Sequence, residues 1–235
     1  MRTLSDFRQF PDYHNHKIVI EISRPDVGLR GFIAIHNTNL GPAVGGTRMY
    51  PYKSEKDAIT DVLRLSHAMT YKCALAGVNF GGGKGVIIGD PKKVKTPELL
   101  KAYAEEINNL KGNFYTGEDV GMLEKDIAEM LRYSDYFIGR SDQAGDPSPF
   151  AGLSTFVAIK AACKWVFGDS SMKNRKVAVK GVGKVGSSIV DMLMNSGALV
   201  MISDIDDKAV LSIKQKWASV QVVNNDSVHE EFCDV

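Results

Sequence analysis

A β-branched run, Val177-Ala178-Val179, leads into Gly181-x-Gly183-x-x-Gly186, and an apolar stretch with helical spacing follows. This is the full three-glycine spacing of a dinucleotide-binding strand–turn–helix. The first glycine makes the turn, the second admits a pyrophosphate, and the third lets helix and strand pack closely. The helix N-terminus, with Lys184 and Val185 at its start, then faces the phosphates. Asp204 ends the next strand, 18 positions after Gly186. A carboxylate there hydrogen-bonds a ribose diol and repels a 2′-phosphate, so NAD is expected over NADP. A tight strand–helix turn without ligand is the plainer alternative.

A second feature lies upstream. Tyr71-Lys72-Cys73-Ala74-Leu75-Ala76-Gly77-Val78-Asn79-Phe80-Gly81-Gly82-Gly83-Lys84 holds two lysines twelve positions apart, the second directly after three glycines. Read locally, the glycines form a loop that lets backbone and ligand approach closely. Lysine loses its proton readily when desolvated and then acts as a base. Asp119, after Thr116-Gly117-Glu118, should stand at the C-terminal end of a strand, where α/β sheets bind ligands. It reads equally well as a helix N-cap. Solvated lysines are the commoner case for Lys72 and Lys84 taken singly. Together, this lysine pair and the downstream nucleotide loop of Gly181–Gly186 suggest an enzyme that moves a hydride.

The 235 residues carry a formal net charge of +1, which gives no sign of a nucleic-acid surface. No apolar run reaches the length of a membrane span, and the N-terminus lacks a signal-peptide core. Three scattered cysteines, Cys73, Cys163 and Cys233, suit a reducing cytoplasm and neither a disulfide framework nor a metal site. His14, His16, His36, His67 and His229 lack metal-ligand spacing and read as structural or surface groups.

Strands are expected at 17–22, 31–36, 43–49, 85–89, 113–116 and 136–139. Helices are expected after Ser54, after Thr96-Pro97, and over 124–133. Gly145-Asp146-Pro147-Ser148-Pro149 breaks the pattern as a hinge. Beyond it a long helix (152–167) precedes strands at 176–180, 198–203 and 219–223, with helices at 185–195 and 206–217. A further strand should be starting at Cys233. The expectation is an α/β protein with an α/β domain over 1–145 and a partial doubly wound Rossmann domain over 146–235.

Four runs carry a resemblance: Gly41-Pro-Ala-Val-Gly-Gly-Thr-Arg-Met49, Asp61-Val-Leu-Arg-Leu-Ser-His-Ala-Met-Thr-Tyr-Lys72, Gly81-Gly-Gly-Lys-Gly-Val-Ile-Ile-Gly-Asp-Pro91 and Tyr115-Thr-Gly-Glu-Asp-Val-Gly121. The chain resembles the glutamate/leucine/phenylalanine/valine dehydrogenase family over almost its whole length, and looks nearest the leucine branch. The resemblance implies NAD(P)-dependent oxidative deamination of an L-amino acid to a 2-oxo acid and ammonia, in a homo-oligomer. It implies that residues 1–145 bind substrate and oligomerise, and that 146–235 bind NAD. It gives Lys72 the substrate carboxylate, Lys84 the catalytic role, and Asp119 the proton shuttle to the substrate nitrogen. Gly45 and Gly46 would line the substrate site, and Ser148 would lie near the nicotinamide. Closure of the two domains would then exclude water from the hydride transfer.

The glutamate branch has a lysine where Val44 stands, so an acidic substrate side chain would lack a counter-charge here. Val44 and Gly117 are smaller than their counterparts in the leucine enzymes, which implies a larger pocket for an apolar or aromatic side chain. Ala151 replaces a threonine usual near the nicotinamide, and Ser154 a usual glycine. Family members are also longer, so a fragment of such an enzyme is expected. A non-catalytic remnant that binds nucleotide or partner subunits is the alternative.

Overall fold

In the computed structural model, residues 7–139 and 146–235 are described. The chain divides into two compact units, Met1–Gly145 and Asp146–Val235. Gly145, part of the expected hinge, lies outside the described residues.

The first unit is built on β1 (Ile18–Arg24), β2 (Leu29–Asn37), β3 (Ala43–Tyr50), β4 (Gly81–Ile88) and β5 (Phe114–Gly117), in sheet order β1-β2-β4-β3-β5. β2 is antiparallel to both β1 and β4, whereas β3 runs parallel to β4 and β5. Alternate residues face opposite layers. Phe32, Ala34 and Val86 pack toward α1 (Glu55–Leu75), whose Ala58, Ile59, Val62 and Leu63 complete one core. Ile33, Ile35, Met49 and Ile87 pack on the other side with α2 (Pro97–Asn109) and α3 (Glu124–Met130). Two caps expected from sequence are present. The Ser54 hydroxyl accepts from the Asp57 N–H and the Thr96 hydroxyl from the Leu99 N–H, both at 3.2 Å.

Two expectations need correction here. The run Gly81-Gly82-Gly83 is not a loop, because β4 begins at Gly81. Gly81 pairs with Ala43, and Gly82 and Gly83 pair with Asn37 and Ile35. A side chain is excluded at Gly81 by the Asn37 carbonyl at the end of β2, at Gly82 by Ser66 and Thr70 of α1, and at Gly83 by Phe114 of β5. The segment 136–139 forms only a single bridge, Thr116 to Phe137, since β5 is itself just four residues long.

The N-terminal segment is held by imidazoles. His14 stacks on His67 with ring centroids 4.3 Å apart, and His36 meets His67 edge-on at 4.5 Å. His16 is buried. Its Nδ1 accepts from the His14 N–H at 3.2 Å, so its Nε2 carries the proton and donates to the Leu63 carbonyl at 3.1 Å. Burial, together with the neighbouring His36, His67 and His14, lowers the His16 pKa from 6.5 to about 4. The unfolded chain therefore binds more protons between these values, and stability falls as pH drops through that window. The expected loss between pH 8 and pH 5 is about 2 kcal/mol. Urea titrations at both pH values check this. An equal loss in His16→Gln would mean that the effect arises elsewhere.

The second unit contains α4 (Ser148–Phe167), β6 (Lys176–Lys180), α5 (Lys184–Asn195), β7 (Leu199–Ser203), α6 (Asp207–Lys216) and β8 (Gln221–Val222). Its three strands are parallel, in order β6-β7-β8. No strand is assigned at 233–235, but the Asp234 N–H donates to the Lys176 carbonyl at 2.7 Å. The Ala178 N–H donates to the Val235 carbonyl at 2.9 Å. The tail thus lies along β6 where a further parallel strand was expected.

α4 departs from expectation as well. By length and composition it is the one helix among the described residues long and apolar enough to cross a membrane. Lys160 and Lys164 interrupt its apolar run, which is why an uninterrupted-run criterion passes over it. One side of it packs on α5, where a Cβ at Gly152 would lie 2.6 Å from Ser188 Oγ. Phe150, Leu153, Val157 and Trp165 stand exposed elsewhere on it.

Candidate active site

Lys84 lies within β4, on the sheet face turned to α1, and is 7% exposed. Its Nζ is ion-paired with Asp119 Oδ2. Burial lowers the Lys84 pKa against the opposing pull of Asp119. For Asp119, burial pushes upward. Lys84, the Val120 N–H and Arg48 outweigh it and hold the carboxyl below its ordinary value. The pair therefore consists of a carboxylate and an amine that gives up its proton more readily than a solvated lysine.

Asp119 is not the N-cap of α3, a position held by Leu123. Asp119 Oδ1 accepts from the Val120 N–H at 2.7 Å, and its carbonyl accepts from the Met122 N–H at 2.9 Å. These bonds fix a turn directly after β5. Gly46 makes room for that turn, since a Cβ there would lie 2.9 Å from the Asp119 Cβ and 2.5 Å from the Glu118 carbonyl. Gly45 is required by the sheet, because its Cβ would meet the Gly83 carbonyl at 1.9 Å.

The other expected substrate residues are less uniform. Lys72 sits in the last turn of α1 and is exposed. Its ammonium forms no ion pair or hydrogen bond with any described residue, which leaves it open to an anion. Val44 is half-buried on the same face as Lys84, paired with Gly82 and Tyr115. Gly117 does not enlarge a pocket. The direction a side chain would take is filled by the Ile138 carbonyl at 2.8 Å.

A set of residues that sequence reading passed over stands behind the pair. Arg48 Nη1 donates to Asp61 Oδ2 at 2.9 Å, and the Tyr52 hydroxyl donates to the same oxygen at 2.6 Å. Arg48 Nε lies 3.5 Å from Asp119 Oδ2. The available signal was strand alternation, which puts Arg48 on the face of Val44 and Gly46, together with one carboxylate, Asp61, beside the apolar stripe of α1.

In the second unit the glycine loop has the form a pyrophosphate needs. Gly181 has φ +88, a turn that favours glycine. No heavy atom lies within 4 Å of a Cβ placed at Gly183, so that side of the loop is open. A Cβ at Gly186 would lie 1.9 Å from the Gly181 carbonyl, which accounts for the third glycine. The N-terminus of α5 has no side-chain cap, and its N–H groups are available to an anion. The residues thus fit a dinucleotide.

Asp204 accepts from the Val182 N–H at 2.6 Å and from the Asp206 N–H at 2.9 Å, so it also braces the loop. These backbone donors, Asp206 first, hold its pKa down. Lys184 pairs with Asp146 at 2.9 Å. Ser148 donates to Asp146 through both its hydroxyl (2.6 Å) and its N–H (2.9 Å), which with Lys184 lowers the Asp146 pKa to about 2. Ser148 and Lys184 are therefore already engaged with one carboxylate. Val185 is exposed in the first turn of α5. At Ala151, whose methyl has no hydroxyl to offer, the N–H donates to the Pro147 carbonyl and the carbonyl accepts from the Ser154 and Thr155 hydroxyls.

Comparison with known proteins identifies the family. Residues 14–136 match the family model described as Glu/Leu/Phe/Val dehydrogenase, dimerisation domain. The phenylalanine dehydrogenase of Thermoactinomyces intermedius is 43% identical over 99% of this chain and 64% of its own length. The leucine dehydrogenase of Bacillus subtilis is 41% identical over 88% of this chain and 58% of its own. The crystal structure of L-tryptophan dehydrogenase from Nostoc punctiforme superposes with a TM-score of 0.68 at 34% identity, covering 94% of this chain and 62% of that one. The chain spans less than two thirds of the length of these relatives. With more than half of its residues matched by the family model, the chain belongs to the Glu/Leu/Phe/Val dehydrogenase family.

Proposed function

We propose that the chain carries the catalytic and nucleotide-binding residues of an NAD-dependent dehydrogenase that deaminates an apolar L-amino acid to its 2-oxo acid and ammonia. The buried Lys84–Asp119 pair is the observation that carries this reading. Substrate amine must be neutral before hydride leaves Cα, and Asp119 is the base that takes or returns the proton on that nitrogen. Water must then add to the resulting imine carbon, and neutral Lys84 removes its proton as the C–O bond forms. Collapse of the carbinolamine forms the C=O bond and breaks the C–N bond: Asp119 returns its proton to nitrogen, which leaves as ammonia, and the regenerated Asp119 carboxylate takes the hydroxyl proton. Exposed Lys72 holds the α-carboxylate as a point charge. NAD at the Gly181 loop would supply the hydride acceptor. The first unit serves substrate binding and assembly into a homo-oligomer, and the second binds NAD, in a cytoplasmic setting.

The test is NADH formation from NAD with L-leucine, L-valine, L-isoleucine or L-phenylalanine. NAD binding by calorimetry without turnover on any of these would favour a non-catalytic role.

Two further outcomes follow from the site. Asp204→Ser raises the NADP-to-NAD ratio of kcat/KM by removing a carboxylate that would repel the 2′-phosphate. It also weakens both cofactors, because the brace on the Val182 N–H goes with it. An unchanged ratio would show that Asp204 serves the loop alone. Val44→Lys lowers activity on leucine and admits glutamate weakly, since a buried new cation bears a desolvation cost. A substrate panel that does not change places Val44 outside the pocket.

A further inference from the structure

We propose that Arg48, anchored from behind by Asp61, is a positioning residue that sets the proton balance of the Lys84–Asp119 pair. The inference rests on the reading of that pair as the proton-handling groups. Its basis is the alternation of charge across one face of the sheet, in the order Lys84, Asp119, Arg48, Asp61. Arg48 reaches the pair through Nε, which is buried, has no hydrogen-bond partner and lies 3.5 Å from Asp119 Oδ2. Its Nη1 is tied to Asp61, whose same oxygen is held by Tyr52. The guanidinium is thus clamped on one side and aimed at the pair on the other.

The remaining ionisable groups here are few. Tyr52 is kept neutral, its pKa raised by burial and by its bond to Asp61. Glu118 precedes Asp119 and has a buried Oε1. Arg64, one turn further along α1 from Asp61, is engaged by Asp12 at 2.6 Å.

The arrangement has a signed consequence. Arg48 repels a second cation and so favours loss of the Lys84 proton, whereas Asp61 favours its retention. Removing the Arg48 charge leaves one ammonium facing two carboxylates, and Lys84 then holds its proton to higher pH. Removing the Asp61 charge does the reverse. A residue that merely packs would not shift the titration in opposite directions.

The experiment follows the Lys84 Cε–Nζ signals and the Asp119 carboxyl carbon by side-chain NMR through a pH titration of the 235-residue chain. Arg48→Gln raises the Lys84 midpoint by about one pH unit, and Asp61→Asn lowers it by a similar amount. Arg48→Lys, which keeps the cation, restores most of the wild-type value. If Arg48→Gln fails to fold, Asp61→Asn carries the test, because asparagine still accepts from Arg48 Nη1. Shifts of the same sign, or no shift in Asp61→Asn, overturn the proposal. The readout needs no turnover. An active Lys84→Ala enzyme would remove the catalytic reading while leaving the coupling intact.

Discussion

Lys84→Ala lowers kcat/KM for oxidative deamination by at least 10²–10⁴-fold, the range typical of losing a positioned general base. The effect falls on kcat, because Lys84 is assigned to the attack of water rather than to holding the substrate carboxylate. NAD affinity stays near the wild-type value, since the Gly181 loop belongs to the other unit. Asp119 survives the substitution as a carboxylate, still beside Arg48. Added small primary amines should then recover part of the rate, with a dependence on amine pKa that reports proton transfer in the transition state. Steady-state kinetics with and without methylamine measure both effects. Retention of more than a tenth of the activity, or loss of NAD binding with loss of turnover, would count against Lys84 as the base.

The sequence displayed its local rules well. The caps at Ser54 and Thr96 and the strand–glycine–helix of 176–195 depend on neighbours within a few residues. Each was found where those rules put it. What stayed hidden was decided by partners far along the chain. Gly81-Gly82-Gly83 has the composition of a loop and is a strand because it pairs with β2 and β3, while Asn37, Ser66, Thr70 and Phe114 leave no room for side chains there. Gly117 looked like an enlarged pocket until Ile138 supplied the volume.

The Arg48–Asp61 clamp joins β3 to α1 across 13 positions, and no local pattern distinguishes it from two solvated charges. Lys84 and Asp119 were nameable as residues, by their motifs. Their pairing depends on the parallel register of β3 with β4 and β5, which sequence alone does not fix.

Gly82→Ala is expected to destabilise the first unit by more than about 3 kcal/mol, the upper end of what overpacking costs. A Cβ there would lie 2.2 Å from both the Thr70 N and Oγ1, and 2.5 Å from the Ser66 carbonyl. Ordinary carbon contacts need about 3.5 Å, so α1 would have to move off the sheet by about 1 Å. Two of the three atoms are helix backbone, which cannot rotate aside. The movement would also strain the 2.8 Å bond between Thr70 Oγ1 and His36 Nδ1, and carry Asp61 away from Arg48.

Gly28→Ala serves as the control. Gly28 has φ +70 and no atom within 4 Å of its Cβ direction, so alanine there bears only backbone strain, about 1 kcal/mol. Urea unfolding of the two variants separates the effects. Equal midpoints would mean that α1 yields easily and that the glycine run answers to something other than the helix above it. A much lower midpoint for Gly82→Ala would show that the contact which excludes a side chain at 82 is the one that seats Lys84, two residues on, beneath the same helix.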